Sequence, residues 1–186
     1  MTGSDDKELI ARIARRDQTA MNALYARHHV RLYRFLVRLV RNEAVAEELM
    51  NEVFLETWRK ADHFEGRSAV STWMMSIAHN KAISLMRKRG EDQLDDAAAV
   101  QIADEDDDPE VTSQKLDKAK AMRACMEKLS TDHREIIDLV YYHDTSVAEA
   151  AVILSIPENT VKTRMFYARK KLAELMKEAG IDRGWP

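Results

Sequence analysis

The sequence predicts an all-α protein made of two small helical domains, and three observations carry that prediction. Of 186 residues only five are Gly and three are Pro, too few for the many tight turns of a strand-rich sandwich or barrel. Apolar residues make up 45% of the chain and recur at three- and four-residue steps, the period of a helix with one buried face. Charge is segregated: residues 1–90 carry 16 Lys and Arg against 11 Asp and Glu, residues 111–186 carry 13 against 11, and residues 91–110 hold ten acids and no base. That middle run (Glu91, Asp92, Asp95, Asp96, Asp104, Glu105, Asp106, Asp107, Asp108, Glu110) repels itself and has little to bury. Residues 91–112 therefore read as an acidic, flexible linker between a domain at 1–90 and a domain at 113–186. An acidic surface loop inside one domain is the alternative, and loops of that length are uncommon in compact domains.

The elements follow in order. A short opening helix is expected at about 5–16. A long helix at 18–41 carries an inward stripe of Leu24, Leu32, Leu36 and Leu39 and a basic edge of Arg31, Arg34, Arg38 and Arg41. A third helix at 43–61 turns Ala46, Leu49, Met50, Val53 and Ala61 inward. After the turn-like stretch 63–68, a fourth helix at 72–89 has Met74, Met75, Ala78, Ala82, Leu85 and Met86 on one broad face. The second domain should hold helices at about 113–129, 132–142, 146–154 and 158–177.

Composition excludes several classes of function. The single Cys125 allows neither an internal disulfide framework nor zinc-finger spacing, and a reducing compartment fits it best. No apolar run approaches bilayer length, and the first residues lack the basic and apolar regions of a signal peptide, so a cytoplasmic location is expected. The formal net charge of −3 argues at first against a nucleic-acid partner. Outside the acidic run, however, both domains are net positive. Neither a cofactor nor a metal is expected: adjacent His28 and His29 point about 100° apart on a helix and do not easily serve one metal, which disfavours a helical-bundle hydrolase.

Three stretches carry functional signals. In the second domain, Ser146 and Glu149 form a capping box, and Pro157 suits the first position of the next helix, so that two helices joined by a short turn make a helix-turn-helix. Winding the last helix at about 100° per residue buries Val161, Met165, Ala168, Leu172, Leu175 and Met176 and turns Asn159, Lys162, Thr163, Phe166 and Lys170 outward. Amide, ammonium, hydroxyl and aromatic groups on one wet face suit base edges and thymine methyls in a major groove, with Arg164, Arg169 and Lys171 beside them for phosphates. An ordinary solvated face with one stray Phe is the plainer reading.

The third helix presents Glu47, Glu48, Asn51, Glu52 and Arg59 outward with Leu55 among them, an apolar anchor in an acidic rim that suits a basic protein partner. A single exposed Leu is also unremarkable on any surface. The fourth helix sets Trp73, Ser76, Asn80, Ser84 and Arg87 on its outer face, beside a loop holding Phe64, Arg67 and Ser68. An indole with amide, hydroxyl and guanidinium groups in register can support an unstacked base. A tryptophan there also suits closing the side of a bundle.

Taken together these stretches resemble one family. The run from Val45 to Trp58 (VAEELMNEVFLETW) is similar to the polymerase-binding helix of bacterial RNA polymerase sigma factors of the extracytoplasmic-function class. Phe64-Glu65-Gly66, Trp73-Met74, Ile77-Ala78-His79-Asn80 and Arg87-Lys88-Arg89 resemble that family's promoter-melting segment, and Ser146 to Leu172 resembles its helix-turn-helix. The likeness implies a sigma region 2-like bundle and a region 4-like helix-turn-helix, promoter DNA and core RNA polymerase as partners, an anti-sigma regulator and a role in stress responses. By that likeness Glu47, Glu48, Asn51, Glu52 and Leu55 meet the β′ clamp, and the second domain sits at the β flap. Phe64, Arg67, Ser68, Trp73, Asn80, Ser84 and Arg87 take the downstream element as single strand. Asn159, Lys162, Thr163, Arg164, Phe166, Tyr167, Arg169 and Lys170 take the upstream element. Four positions depart from the family pattern: Asn51 replaces a usual glutamine, Ser84 a usual aspartate, and Ser155 and Asn159 glycines in and after the turn. A helix-turn-helix regulator that works without polymerase is the competing reading; it leaves the acidic arc and the Trp73 face without a task.

Overall fold

The computed structural model describes residues 2–92 and 113–181, all in helices and the turns between them. The predicted linker lies outside the described residues except for Glu91 and Asp92, which belong to a helix. The chain divides into two compact units.

The first unit contains α1 (Thr2–Ala14), α2 (Gln18–Val40), α3 (Glu43–Lys60), a 3₁₀ turn (Ala61–His63) and α4 (Val70–Asp92). Helix α2 is the central member and packs on α1, α3 and α4. Its predicted stripe is buried in full, and Leu24, Leu32, Phe35 and Leu36, like Ile13 of α1 and Met74 and Met75 of α4, belong to a core where each large side chain contributes about 1.5–3 kcal/mol. Arg31, Arg34, Arg38 and Arg41, expected as a basic edge, are each half-buried. Helix α1 is tied to α2 by charge as well: buried Asp6 accepts from Arg27 at 2.8 Å and lies 2.8 Å from His28 Nε2, while Asp5 takes the second arm of Arg27 at 2.6 Å. Those two carboxylates, Asp6 first, hold the Arg27 guanidinium more firmly protonated than usual. His29 turns the other way, its Nδ1 2.9 Å from the Tyr25 carbonyl, so the two histidines serve different partners.

The second unit contains α5 (Ser113–Glu127), α6 (Thr131–Ile137), a π turn (Asp138–Tyr142), the start of α7 (Val147–Leu154, of which residues 152–154 are grouped with the first unit) and α8 (Glu158–Glu178). Helix α8 packs on α5 and α6. The helix expected over 132–142 is α-helical only to Ile137. Beyond it the backbone widens, His143 N–H reaches back five residues to the Asp138 carbonyl, and His143 Nε2 comes within 3.3 Å of the Asp138 carboxylate, both side chains buried.

Helix ends account for the other differences from expectation. Helix α1 stops at Ala14 because Arg16 takes a left-handed φ of 69° and Asp17 N–H reaches back to the Arg12 carbonyl. Asp17 then caps α2 by accepting from Thr19 and Ala20, and these backbone donors together with Arg12 lower its carboxyl pKa. Helix α4 begins at Val70, two residues before the expected start, and α2 ends on Arg41, left-handed at 54°. Pro157 is the cap of α8 and not its first helical residue: the ring holds φ at −61° but ψ is 148°, and helical angles begin at Glu158. Asn159 is thus ordinary helix, with no special backbone angle to tolerate. It is Ser155 that occupies the strained position, at φ 54°, where Ile156 N–H closes on the Ala151 carbonyl at 3.1 Å.

A left-handed residue with a Cβ costs about 1–2 kcal/mol, and glycine returns about 0.5–1 kcal/mol of that through its greater freedom in the unfolded chain. Replacing Ser155 with Gly is expected to raise stability by about 0.5–1 kcal/mol, and Ser155→Val to lower it, as read by urea unfolding.

Candidate functional site

Burial of Val45, Ala46, Leu49, Met50 and Val53 sets the rotation of α3. The opposite arc then faces solvent as expected: Glu47, Glu48, Asn51 and Glu52 are exposed, and Leu55 keeps 47% of its surface. Beside that arc lies an aromatic group the sequence reading missed. Tyr25 stacks on His29 with ring centroids 4.9 Å apart and leans on Phe54 of α3 at 4.7 Å. Their i, i+4 spacing outside the leucine stripe of α2 was the available signal.

Between α3 and α4 runs a groove of about 690 Å³ whose lining includes Glu48, Glu52 and Glu56 on one wall and Trp73, Asn80, Ser84 and Lys88 on the other. Residues assigned from sequence to two different partners therefore share one cleft. Lys81, also missed, sits within it. Its ammonium lies 2.8 Å from Glu56 and 3.3 Å from Glu52, and Glu56 accepts a second lysine, Lys60, at 2.7 Å. Lys60 and then Lys81 hold the Glu56 carboxyl below its usual pKa, and Glu56 chiefly raises that of Lys81.

The loop before α4 packs onto the same end of the groove. The Phe64 ring tilts against Trp73 with centroids 5.0 Å apart, so the two aromatics act as one unit. Gly66 turns the chain at φ 71°, and Lys7 of α1 donates to its carbonyl at 3.5 Å. Arg67 pairs within the loop with Glu65 at 2.6 Å, and Ser68 donates to the Ala69 carbonyl at 3.3 Å. Asn80, Ser84, Arg87, Lys88 and Arg89 are exposed along α4. Ser76 spends its hydroxyl on the Trp73 carbonyl at 2.8 Å.

In the second unit the capping box forms reciprocally: Ser146 N–H donates to Glu149 at 2.7 Å, and Glu149 N–H to the Ser146 hydroxyl at 3.1 Å. All six residues expected on the inner stripe of α8 are buried. Outside, Asn159, Lys162, Thr163 and Lys170 are exposed, and Phe166 and Tyr167 keep 64% and 54% of their surface, with rings edge to face at 5.3 Å. Two polar groups are more constrained than expected. Arg164 is half-buried and lies 3.4 Å from Asp132, and Arg169 sits over the Tyr141 ring at 5.6 Å. The Thr163 hydroxyl donates to the Asn159 carbonyl at 2.9 Å.

Comparison with known proteins settles what this arrangement belongs to. Residues 24–91 match Sigma-70 region 2, and residues 119–172 match Sigma-70, region 4. Over 170 residues the chain is 30% identical to the RNA polymerase sigma factor CarQ of Myxococcus xanthus, a stretch covering 89% of this chain and 94% of that one. The chain belongs to the extracytoplasmic-function sigma factors. It is also 27% identical over 175 residues to the sigma factor SigK of Mycobacterium tuberculosis, covering 91% and 92% of the two chains. Among solved structures it is similar to the sigma factor RpoE of Bartonella quintana in complex with the anti-sigma factor NepR (TM-score 0.68, 27% identity, 87% and 98% covered). It is equally similar to CnrH in complex with the cytosolic domain of CnrY (TM-score 0.68, 25% identity, 93% and 97% covered).

The protein is thus an alternative sigma factor that binds RNA polymerase and acts in transcription. The region 2 match covers the whole groove between α3 and α4, and the region 4 match covers the capping box and the outward face of α8. Among the described residues, no helix of this sigma factor is long and apolar enough to cross a membrane.

The two lysines give the groove a pH signature. A carboxyl whose pKa is lowered in the folded state adds stability above its unfolded value near 4.5, and that contribution is lost as pH falls through the lower folded value. Glu56→Gln is expected to cost less than about 1 kcal/mol at neutral pH, because solvent screens these pairs. The gap between wild type and variant should close below that range in urea unfolding measured across pH.

Proposed function

We propose that Glu47, Glu48, Asn51, Glu52 and Leu55 dock on the β′ clamp of core RNA polymerase while α8 reads the upstream, −35 promoter element. Lys162, Phe166, Asn159 and Tyr167 face base edges; Thr163 adds its methyl, its hydroxyl being engaged within the helix. Lys170 contacts phosphate, and Arg164 and Arg169 do so from positions braced by Asp132 and Tyr141. The second domain rests at the β flap. The loop carrying Phe64, Arg67 and Ser68, with Trp73, Asn80, Ser84 and Arg87, receives the downstream, −10 element as single strand. Binding energy for that strand offsets unstacking, about a few kcal/mol per base. No bond is made or broken, so the protein is not an enzyme. Its location is cytoplasmic, and an anti-sigma protein of the kind bound to the RpoE relative restrains it.

The observation that carries this reading is the shared groove: carboxylates fit for a basic protein surface and a Trp–Asn–Ser face fit for an unstacked base line one cleft, beside an exposed Leu55. A polymerase-independent helix-turn-helix regulator accounts for residues 119–172 alone. Run-off transcription with purified core polymerase and a promoter library tests the proposal. Promoter-specific transcripts are expected only when protein and core are both present, and duplex binding without any effect on core contradicts it.

Substitutions probe the two surfaces separately. Leu55→Asp is expected to abolish co-elution with core at micromolar concentration while leaving the helical circular dichroism and melting temperature unchanged, since Leu55 is half outside the fold. Lys162→Ala or Phe166→Ala should reduce preference for the cognate upstream element by about 1–3 kcal/mol with little change on unrelated DNA. Competition binding reads this directly, and an equal loss on all sequences would assign both residues to phosphates.

A further inference from the structure

The groove between α3 and α4 is electrically balanced, with three glutamates (Glu48, Glu52, Glu56) and three lysines (Lys60, Lys81, Lys88) in its lining. The balance is local. Lys81 is held between Glu52 at 3.3 Å and Glu56 at 2.8 Å, and Lys60 is held by the other oxygen of Glu56 at 2.7 Å. Lys81 is only one-quarter exposed and lies one residue from Asn80 and three from Ser84, on the helix that carries Trp73. A strand stacked on Trp73 and running along α4 brings its backbone phosphates past Lys81 and then Lys88. In the isolated chain the Lys81 charge is already spent on two carboxylates, one of which, Glu52, belongs to the acidic arc of α3.

We propose that Lys81 is a DNA-phosphate contact masked by Glu52 and Glu56 in the isolated protein and released when a basic polymerase surface draws Glu52 away. Binding of core on one wall of the groove then raises the positive charge on the other. This ties DNA capture to polymerase binding with no change of backbone, because Glu52 exchanges one cationic partner for another and Lys81 is left with a single carboxylate, Glu56. The inference rests on the polymerase and single-strand roles proposed above for α3 and α4, and it adds a residue and a coupling to them.

The full-length protein tests it through fluorescence anisotropy with a labelled oligo-dT probe across a salt series. Glu56→Gln removes the nearer carboxylate, and it is expected to tighten binding of the free protein to the probe about three- to tenfold, with a log–log salt slope steeper by about 0.7, the value for one more phosphate contact on a single strand. In a Lys81→Gln background, which keeps much of the aliphatic stem, the same Glu56→Gln change should give no such gain. That comparison separates release of Lys81 from the general effect of deleting a negative charge and from release of Lys60. With core present, Lys81→Gln alone should slow promoter opening several-fold at unchanged affinity for core.

A Glu56→Gln protein that binds the probe no better than wild type overturns the proposal. So does a gain that survives intact in the Lys81→Gln background, or promoter opening by core that is indifferent to Lys81→Gln. Wild-type transcription with core is the control for the underlying reading: if it is present while any of these results is obtained, the masking fails and the sigma-factor role stands. If it is absent, the role assigned to α3 and α4 is what fails.

Discussion

Two helices pressed against α2 by their apolar faces have no freedom in what they show on the other side. On α3 the buried set Ala46, Leu49, Val53 and Thr57 turns Glu48, Glu52 and Glu56 toward α4; on α4 the buried set Met74, Ala78 and Ala82 leaves Trp73, Asn80, Ser84 and Lys88 facing α3 across the groove. The rotation of each helix is enforced by burial worth about 1.5–3 kcal/mol per large side chain. Surface charges follow that rotation and do not set it. The carboxylates proposed to face polymerase and the polar groups proposed to face the strand are consequently neighbours.

The same logic governs the second unit. Six buried residues of α8 hold its opposite face outward, and a reciprocal capping box with a left-handed Ser155 sets how the chain enters it. The polar residues at the edge are braced: Arg164 by Asp132 and Arg169 by Tyr141. Arginines positioned in this way lose less conformational entropy on meeting a phosphate than unbraced ones.

Helices and their buried faces were legible because a 3.6-residue period reports them directly: the leucines of α2, the inner arc of α3 and the stripe of α8 are all buried where the spacing put them. The acidic arc around Leu55 and the capping box were legible for the same reason, being local patterns. Less legible were the ends. Arg16, Arg41, Asp144 and Ser155 all take left-handed angles that a scan for glycine does not find, and the π turn at Asp138–Tyr142 has no periodic signature distinct from α-helix. Lys81 escaped notice because its meaning is tertiary. Its two carboxylates lie on another helix, 25 and 29 residues earlier in the chain, and no spacing within α4 marks it.

On the proposed roles of α3 and α4, polymerase and promoter are engaged together through the groove between them. Permanganate reactivity of unpaired thymines across a cognate promoter tests this most directly, in samples holding the protein alone, core polymerase alone, and both. Reactive thymines are expected at the downstream element only when both are present, with that reactivity lost when Trp73 is replaced by Ala. Thymines made reactive by the protein without core, or opened equally well by the Trp73→Ala protein with core, would contradict it.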